Sequence, residues 1–531
     1  MIRVAGLSLL LSAAVLAAEP PLPPLPADLA GATAAPSQVR VDAIEFHGNR
    51  AVTTAELQAH AAPHVGRVNG VDELEALRQQ LTRLYVDRGY VNSGLLLPQR
   101  LADGVLVFEV IEGRLGGVDL HGLDGLLERY VSARLLRPDD AILDMGELRE
   151  RYQLLLADPQ IARMNARLVP GPQLGEARLD VDVQRSRPWE LSVFANNYRP
   201  ASIGSAAGGL AGTLRNLSGR GDQFDLTLQA PLERSGQGGH GRMDWQLPLV
   251  TWGLTDTQLQ LGLERGSSSV IEEPVDQLGI RSRLSSREVG ISHVWSETLA
   301  RKFDGGLTWL GRDNRTTLAG QPFSFTPGVP DGELREALWR GWLGSAWRSE
   351  SQVLALRASY SWGHADVQDA PELPPSPLPA RHFGLWVAQA SYTWQVLDRA
   401  AQLAARLSWQ YTGNHLLPLD ALALGGLGTV RGFRQNQLVR DRGVFLNLEL
   451  EVPLRQETAD GWSLSLTPFL DLGHAANVGE PGATLSSLGL QARARWQGWT
   501  LDLGLAHRLQ GARLGTTLQD RGVMLQLAYK L

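Results

Sequence analysis

Two short stretches carry the residue types that could do work together. One is the glycine-rich run Gly425-Gly426-Leu427-Gly428-Thr429 followed by Val430-Arg431-Gly432-Phe433; the other is Phe469-Leu470-Asp471-Leu472-Gly473. In the second, Trp462, Leu464, Leu466, Leu470 and Leu472 fall on one face of a strand, so a period of two sends Asp471 to the opposite, polar face. A lone carboxylate there calls for a cation, and guanidinium matches carboxylate as a two-toothed fork. Arg431, on a glycine-flanked loop able to bend back sharply, is the expected partner. The pair would clamp a long loop inside a barrel, with Gly432 allowing the tip to turn and Phe433 packing on the inner wall. In a wet lumen it would contribute only about 1 kcal/mol, so its role would be conformational. The alternative is a surface arginine on a mobile loop.

The remaining constellations offer little chemistry. Asp180 and Asp182 flank Val181 on alternate positions, as on any strand with one wet face, and no metal site is expected there. Gly425-Gly426-Leu427-Gly428 lacks the Lys-Ser/Thr ending of a phosphate-binding loop and reads as a hinge. His293, His364, His415 and His474 are scattered without ligand spacing, and no serine lies in a Gly-x-Ser-x-Gly setting. Neither an enzyme nor a cofactor-binding protein is expected.

The 531 residues exceed what one soluble core requires, and a formal charge of -6 gives no basic excess for nucleic acid. Residues 1–18 read as an export signal: Arg3, an apolar run from Val4 to Leu16, then Ala17 and Ala18. Beyond it, no stretch reaches the ~18–20 apolar residues of a membrane helix. Hydrophobic content of 43% with 57 glycines, 15 tryptophans and no cysteine suits a transmembrane β-barrel, whose signal is weak in each strand but repeated.

Residues 19–38, with Pro20-Pro21-Leu22-Pro23-Pro24-Leu25-Pro26, are expected to form an extended linker. Residues 39–114 then read strand, helix, helix, strand, strand. Val39 to Phe46 alternates, Thr53 or Thr54 caps a helix, and Asp72 precedes a stripe of Leu74, Leu77, Leu81, Leu84 and Tyr85 that ends at Gly89. Tyr90 to Gln99 and Val105 to Gly113 supply two closing strands around Asp103-Gly104. Residues 115–187 repeat the order, with strands at Leu115–Leu120, Asn165–Pro170 and Ala177–Gln184 and helices at Leu126–Leu136 and Met145–Leu156.

From residue 188 to 531 alternation replaces the helical period. Sixteen segments of roughly ten residues centre near Val193, Thr213, Leu226, Trp245, Leu261, Ile291, Leu307, Leu343, Ala358, Ala390, Leu407, Leu448, Leu466, Ala492, Leu503 and Leu525. Short turns such as 217–220 and 349–351 alternate with long gaps near 266–286, 312–336, 364–383 and 413–441, the rhythm of short periplasmic turns and long outer loops. Trp252, Trp295, Trp309, Trp362, Trp394, Tyr411 and Trp462 lie near segment ends, where a membrane interface suits an amphipathic ring. A soluble sandwich would leave this many outward Leu and Trp as one large exposed apolar face. The expected fold is therefore a 16-stranded transmembrane β-barrel behind two α+β modules.

This order of parts, with Val430-Arg431-Gly432-Phe433 in the sixth outer loop, resembles the two-partner secretion transporters of the haemolysin/haemagglutinin exporter family. Their modules are termed polypeptide-transport-associated (POTRA) domains. Val430 to Phe433 match the family's Val-Arg-Gly-aromatic tip, and Phe469, Asp471 and Gly473 its Phe-x-Asp-x-Gly strand; Gly89 to Ser93, Leu97-Pro98-Gln99 and Glu112-Gly113-Arg114 also resemble it. The resemblance implies an outer-membrane location with periplasmic modules, a secreted exoprotein as partner and lipid around a barrel that is expected to be monomeric. Better-known members carry a plug helix before the first module, where residues 19–38 here are short and proline-rich. A barrel-protein insertase of the same superfamily and a passive porin or receptor are the competing readings.

Overall fold

A computed structural model describes residues 38–97, 103–137, 142–233, 238–368, 377–398, 400–456 and 461–531. The expected export signal, nearly all of the linker with any plug, and Pro98-Gln99 lie outside the described residues. The chain divides into two compact units, one of residues 1–88 with 93–112 and the other of 89–92 with 113–531.

In the first unit, strand Ala43–His47 runs parallel to Val105–Ile111, whose other edge pairs antiparallel with Gly94–Leu96. Helices Thr54–Ala61 and Val71–Asp87 cover this sheet with Leu57, Ala61, Leu74, Leu77, Leu81 and Tyr85, all buried. Thr53 caps the first helix by accepting from the Glu56 N–H. The second begins earlier than its sequence suggests: Gly70 is the cap, and Glu73 reaches back to the Gly70 N–H at 2.8 Å, so Asp72 lies in the first turn. A short strand, Arg67–Gly70, pairs with Gln38–Val41 and was not apparent from alternation. Glu112 ties the unit shut, accepting from the N–H groups of Arg50 and Ala51 at 2.6 and 2.7 Å and from the Tyr85 hydroxyl at 3.2 Å.

The second unit opens with the other module. Strand Glu176–Arg185 lies between the parallel Arg114–His121 and the antiparallel Ile161–Pro170, under helices Glu128–Leu135 and Met145–Leu156. Asp180, on the strand's wet face, pairs with Arg167 at 2.6 Å and His121 at 3.0 Å. This module is built into the barrel's short turns. Val250, from turn 249–256, is fully buried within the module's own core. The Gln160 amide donates to the carbonyls of Gly221 and Asp222, and the Leu127 N–H to that of Gly219. Burial pushes the Tyr130 phenol above its ordinary range, keeping it a neutral donor to Asp158 at 2.7 Å beside Gly221.

Sixteen long antiparallel strands, from Trp189–Asn196 to Val523–Lys530, form a closed barrel. The last pairs with the first from Gln526↔Asn196 to Lys530↔Ser192, so no edge is left and every strand meets a neighbour on both sides. Outward alternate positions such as Leu263, Val289, Ile291, Leu343, Leu488, Leu501 and Leu527 are exposed, as a lipid-facing wall requires. Among the described residues no helix is long and apolar enough to cross a membrane. Two gaps expected as loops are largely strand: Arg281–Glu297 and Arg301–Leu318 extend well past ten residues, leaving connections of 270–280 and 319–332. Their polar outward ends hid the extension, because alternation of apolar with polar residues fails once both faces are wet.

Candidate functional site: the loop-six lock

The wall that receives the loop is built by register. Strands Arg442–Arg455, Trp462–Ala476 and Ala483–Trp496 align Asn447, Asp471 and Ser487 in one inward row, with Glu449, Phe469 and Gly489 in the row beside it. A Cβ at Gly489 would lie 2.4 Å from the Phe469 ring, and one at Gly473 would lie 2.8 Å from Val430 Cγ2. Glycine at these two points is what lets Phe469 lie flat and Val430 approach the wall.

Arg431 reaches that wall from loop 412–441. Its Nε donates to Asp471 Oδ2 at 2.7 Å, its Nη2 to Oδ1 at 2.7 Å, and its backbone N–H to Oδ2 at 3.0 Å. Nη1 pairs with Glu449 Oε1 at 2.8 Å, and the guanidinium lies 3.6 Å from the centre of the Phe469 ring. Asn447 completes the Asp471 shell at 2.7 Å and also donates to the Thr429 carbonyl. Arg406 balances Glu449 at 2.6 Å. Two arginines thus face two carboxylates. Arg431 is 2% exposed and Asp471 0%, so the pair is dry and the wet-lumen figure of about 1 kcal/mol does not apply. Removing one member of such a buried pair strands the other charge, at a cost of roughly 3–5 kcal/mol.

The tip continues along the same wall. Gly432 adopts φ 88°, and a Cβ there would approach Ala506 Cβ to 2.9 Å, so both conformation and space demand glycine. Its carbonyl accepts from Arg508 Nε at 2.6 Å. Phe433 is buried with Leu424, Val430, Ala475 and Leu485. The hinge glycines Gly425 and Gly426 both have positive φ, and the Thr429 hydroxyl accepts from the Gly425 N–H at 2.9 Å. Next, Arg434 forks onto Asp520 at 2.7 and 2.8 Å and reaches Glu272 at 2.7 Å. Gln519, beside Asp520, donates to the carbonyls of Asn197 and Arg199, bringing the loop's neighbour to the closing seam.

The loop's base has its own attachments. Asp441 accepts from the N–H groups of Leu416 and Val478 and pairs with His415 at 3.0 Å. Asp420 pairs with Arg312 at 3.0 Å beside Glu336, itself 3.5 Å from Arg312.

The structure brings together Val430, Arg431, Gly432, Phe433, Phe469, Asp471 and Gly473. Sequence reasoning missed Asn447, Glu449, Arg434, Asp520 and Arg508. A signal existed for the first two: in Val444-Phe445-Leu446-Asn447-Leu448-Glu449-Leu450 the polar residues occupy the inward period. The Arg434–Asp520 contact joins separate loops and leaves no local pattern.

Two family models match the chain. Residues 334–495, which hold Arg431, Asp471 and the side chains around that pair, match "Haemolysin secretion/activation protein ShlB/FhaC/HecB", and residues 39–113 match "POTRA domain, ShlB-type". The chain is an outer-membrane transporter of the two-partner secretion type. Among relatives, the outer membrane transporter CdiB of Dickeya dadantii is 22% identical over 87% of this chain and 81% of its own. The hemolysin transporter protein ShlB of Serratia marcescens is 27% identical over 30% and 28%. The structure of CdiB from Escherichia coli shares the fold with a TM-score of 0.71 at 19% identity, over 96% of this chain and 93% of that one. BamA from Haemophilus ducreyi lacking POTRA domains 1-3 shares it more loosely, at 0.52 and 11% over 93% and 99%. With the transporter's modules in the periplasm, the turns that meet the second module form the periplasmic rim and loop 412–441 enters from outside.

Proposed function

We propose that this transporter recognises a large unfolded exoprotein through its modules, passes it through the barrel lumen and keeps loop six locked on the wall as part of that cycle. The observation that carries the proposal is the buried Arg431–Asp471 fork, which fastens an outer loop deep inside the conduit. A merely ornamental surface loop would have no need of a five-residue ionic and aromatic socket. Recognition is assigned to strand addition on an open module edge, which binds an extended chain by its backbone without regard to sequence. Ile161–Pro170 is such an edge in the second module, with only one neighbour and mostly exposed side chains. The lumen offers a polar path: Arg242 pairs with Asp244, Glu264 and Glu288 at 2.7, 3.3 and 3.3 Å, so the wall's charges satisfy one another and do not trap a passing segment. With no nucleotide-binding motif in the sequence, folding of the partner outside would give direction. A closed wall without edges is consistent with a monomer.

Replacing Arg431 with Ala and measuring barrel insertion and export separately tests this. Normal insertion with lost export supports the lock as part of the transport cycle; normal export removes it from the mechanism. The shared barrel of BamA keeps an insertase reading in view, and that reading predicts that loss of the protein depletes many barrel proteins and not one exoprotein.

A further inference from the structure

The outer wall is not uniform. On strands Thr257–Ser269, Arg281–Glu297, Arg301–Leu318 and Glu333–Arg348, six arginines occupy outward alternate positions near the external end: Arg265, Arg281, Arg283, Arg287, Arg315 and Arg335. All six are exposed and share the parity of the lipid-facing Leu263, Val289 and Ile291. Carboxylates on the same face are fewer. Glu333 pairs with Arg315 at 3.1 Å and with Arg335 at 3.2 Å, and Asp313 lies 3.8 Å from Arg335. Arg265, Arg281, Arg283 and Arg287 have no ion-pair partner among the described residues. Arg283 stands directly opposite Arg315 in the ladder, a like-charge juxtaposition that opposes pairing unless an anion lies between. Across the rest of the wall, strands Arg442–Arg455 to Val523–Lys530 present only Arg442 at a comparable outward position.

The height of this patch identifies its neighbour. Trp309 faces Trp339, and Trp339 faces Trp362, across adjacent strands, forming an outer aromatic belt. Trp347, eight residues from Trp339 on the same strand, lies ~20 Å nearer the periplasm at the usual strand tilt, about the span of a barrel's apolar band. Arg287 pairs with Gly311, one alternate step beyond the Val289↔Trp309 pair, or ~5 Å above the belt. That is where the head groups of the outer leaflet lie. There Arg287, Trp309, Arg335 and His364, with Arg312 and the carboxyl groups of Asp313, Glu336 and Asp366, line a notch of about 230 Å³ whose floor is the small residues Gly311 and Ala337.

We propose that this patch binds the phosphate groups of a phosphorylated glycolipid in the outer leaflet, with Arg283 and Arg287 as its principal ligands and the Trp309–Trp339 belt against its acyl chains. Guanidinium forks suit phosphate oxygens, and exposed arginines without carboxylate partners at the membrane interface make a head-group site by the same chemistry. The site lies on the wall opposite in function to the lock: it fixes the barrel in its leaflet and leaves the lumen untouched.

The test uses the full-length protein in detergent micelles, titrated with bisphosphorylated lipid A and followed by native mass spectrometry. The double variant R283E/R287E is expected to weaken retention of lipid A at least ten-fold with unchanged heat-modifiable migration, while R442E on the opposite wall behaves as the unaltered protein does. If the glutamate variant fails to fold, R283Q/R287Q is expected to give the same loss. Equal retention by the double variant, equal retention of dephosphorylated lipid A, or full displacement of lipid A by millimolar inorganic phosphate would each overturn the proposal.

Discussion

Loop six is held at two places that differ in how completely their charges are satisfied. At the tip, Asp471 accepts from the Arg431 guanidinium, the Arg431 N–H and Asn447, and Arg406 balances Glu449. At the base, Glu336 and Asp420 are buried side by side on Arg312, two carboxyl groups for one guanidinium. A satisfied network specifies one geometry; a partly satisfied one stores a penalty that opening relieves. The comparison teaches that the loop is built to part from its base more readily than from its tip.

The largest effect is expected from Arg431→Ala, which leaves Asp471 and part of Glu449 unpaired in a dry socket. Loop docking should weaken by roughly 3–5 kcal/mol, seen as rapid proteolysis within 412–441 on intact cells and as lost export. Asp471→Asn keeps shape and most hydrogen bonds but removes the charge; a loss of roughly 1.5–3 kcal/mol is expected, with proteolysis between that of the alanine variant and the unaltered protein. Glu336→Gln should act in the opposite direction. It replaces a carboxyl that must share a proton with Asp420 by an amide that donates without one, and is expected to slow proteolysis near 417–421, a gain of about 1 kcal/mol. If Glu336→Gln instead loosens the loop, the contrast between tip and base fails.

The smallest effect concerns the outermost contact. Burial raises the Asp520 carboxyl, but the Arg434 fork and Thr517 outweigh it and hold it at about 2, below its ordinary 3.8. A depressed folded value gives stability that is present above the unfolded pKa and lost as pH falls through the folded one. Protection of loop 511–522 from protease should therefore stay constant from pH 7 to about 4 and decline only as pH falls from about 3.8 toward 2. Arg434→Ala should make that protection insensitive to pH over the same window.

Much of this was legible in the chain because it is local. Period-two alternation located all sixteen long strands, and the Phe469-Leu470-Asp471-Leu472-Gly473 stretch alone shows that the carboxylate faces inward. The helix Val71–Asp87 follows from its stripe of Leu74, Leu77, Leu81 and Tyr85. What escaped depends on register or on separate loops. That Asn447 lies beside Asp471 requires the strand pairing, and that Gly473 is absent of side chain to admit Val430 requires the folded loop. Whether the lumen at Arg431 is wet or dry depends on packing by Phe433, Leu424 and Leu485, which no spacing rule conveys.

The central claim is that the loop tip rests on the inner face of strand Trp462–Ala476, and the chain's lack of any cysteine makes that claim directly testable. A Cβ at Gly473 would touch the Val430 side chain, within reach of a disulfide. In the double variant Val430→Cys, Gly473→Cys, formed in the outer membrane, the account predicts a spontaneous cross-link between loop and wall, read as a reducible shift in electrophoretic mobility of the unfolded chain. A correctly inserted, heat-modifiable barrel in which those two cysteines stay reduced under oxidant would contradict it.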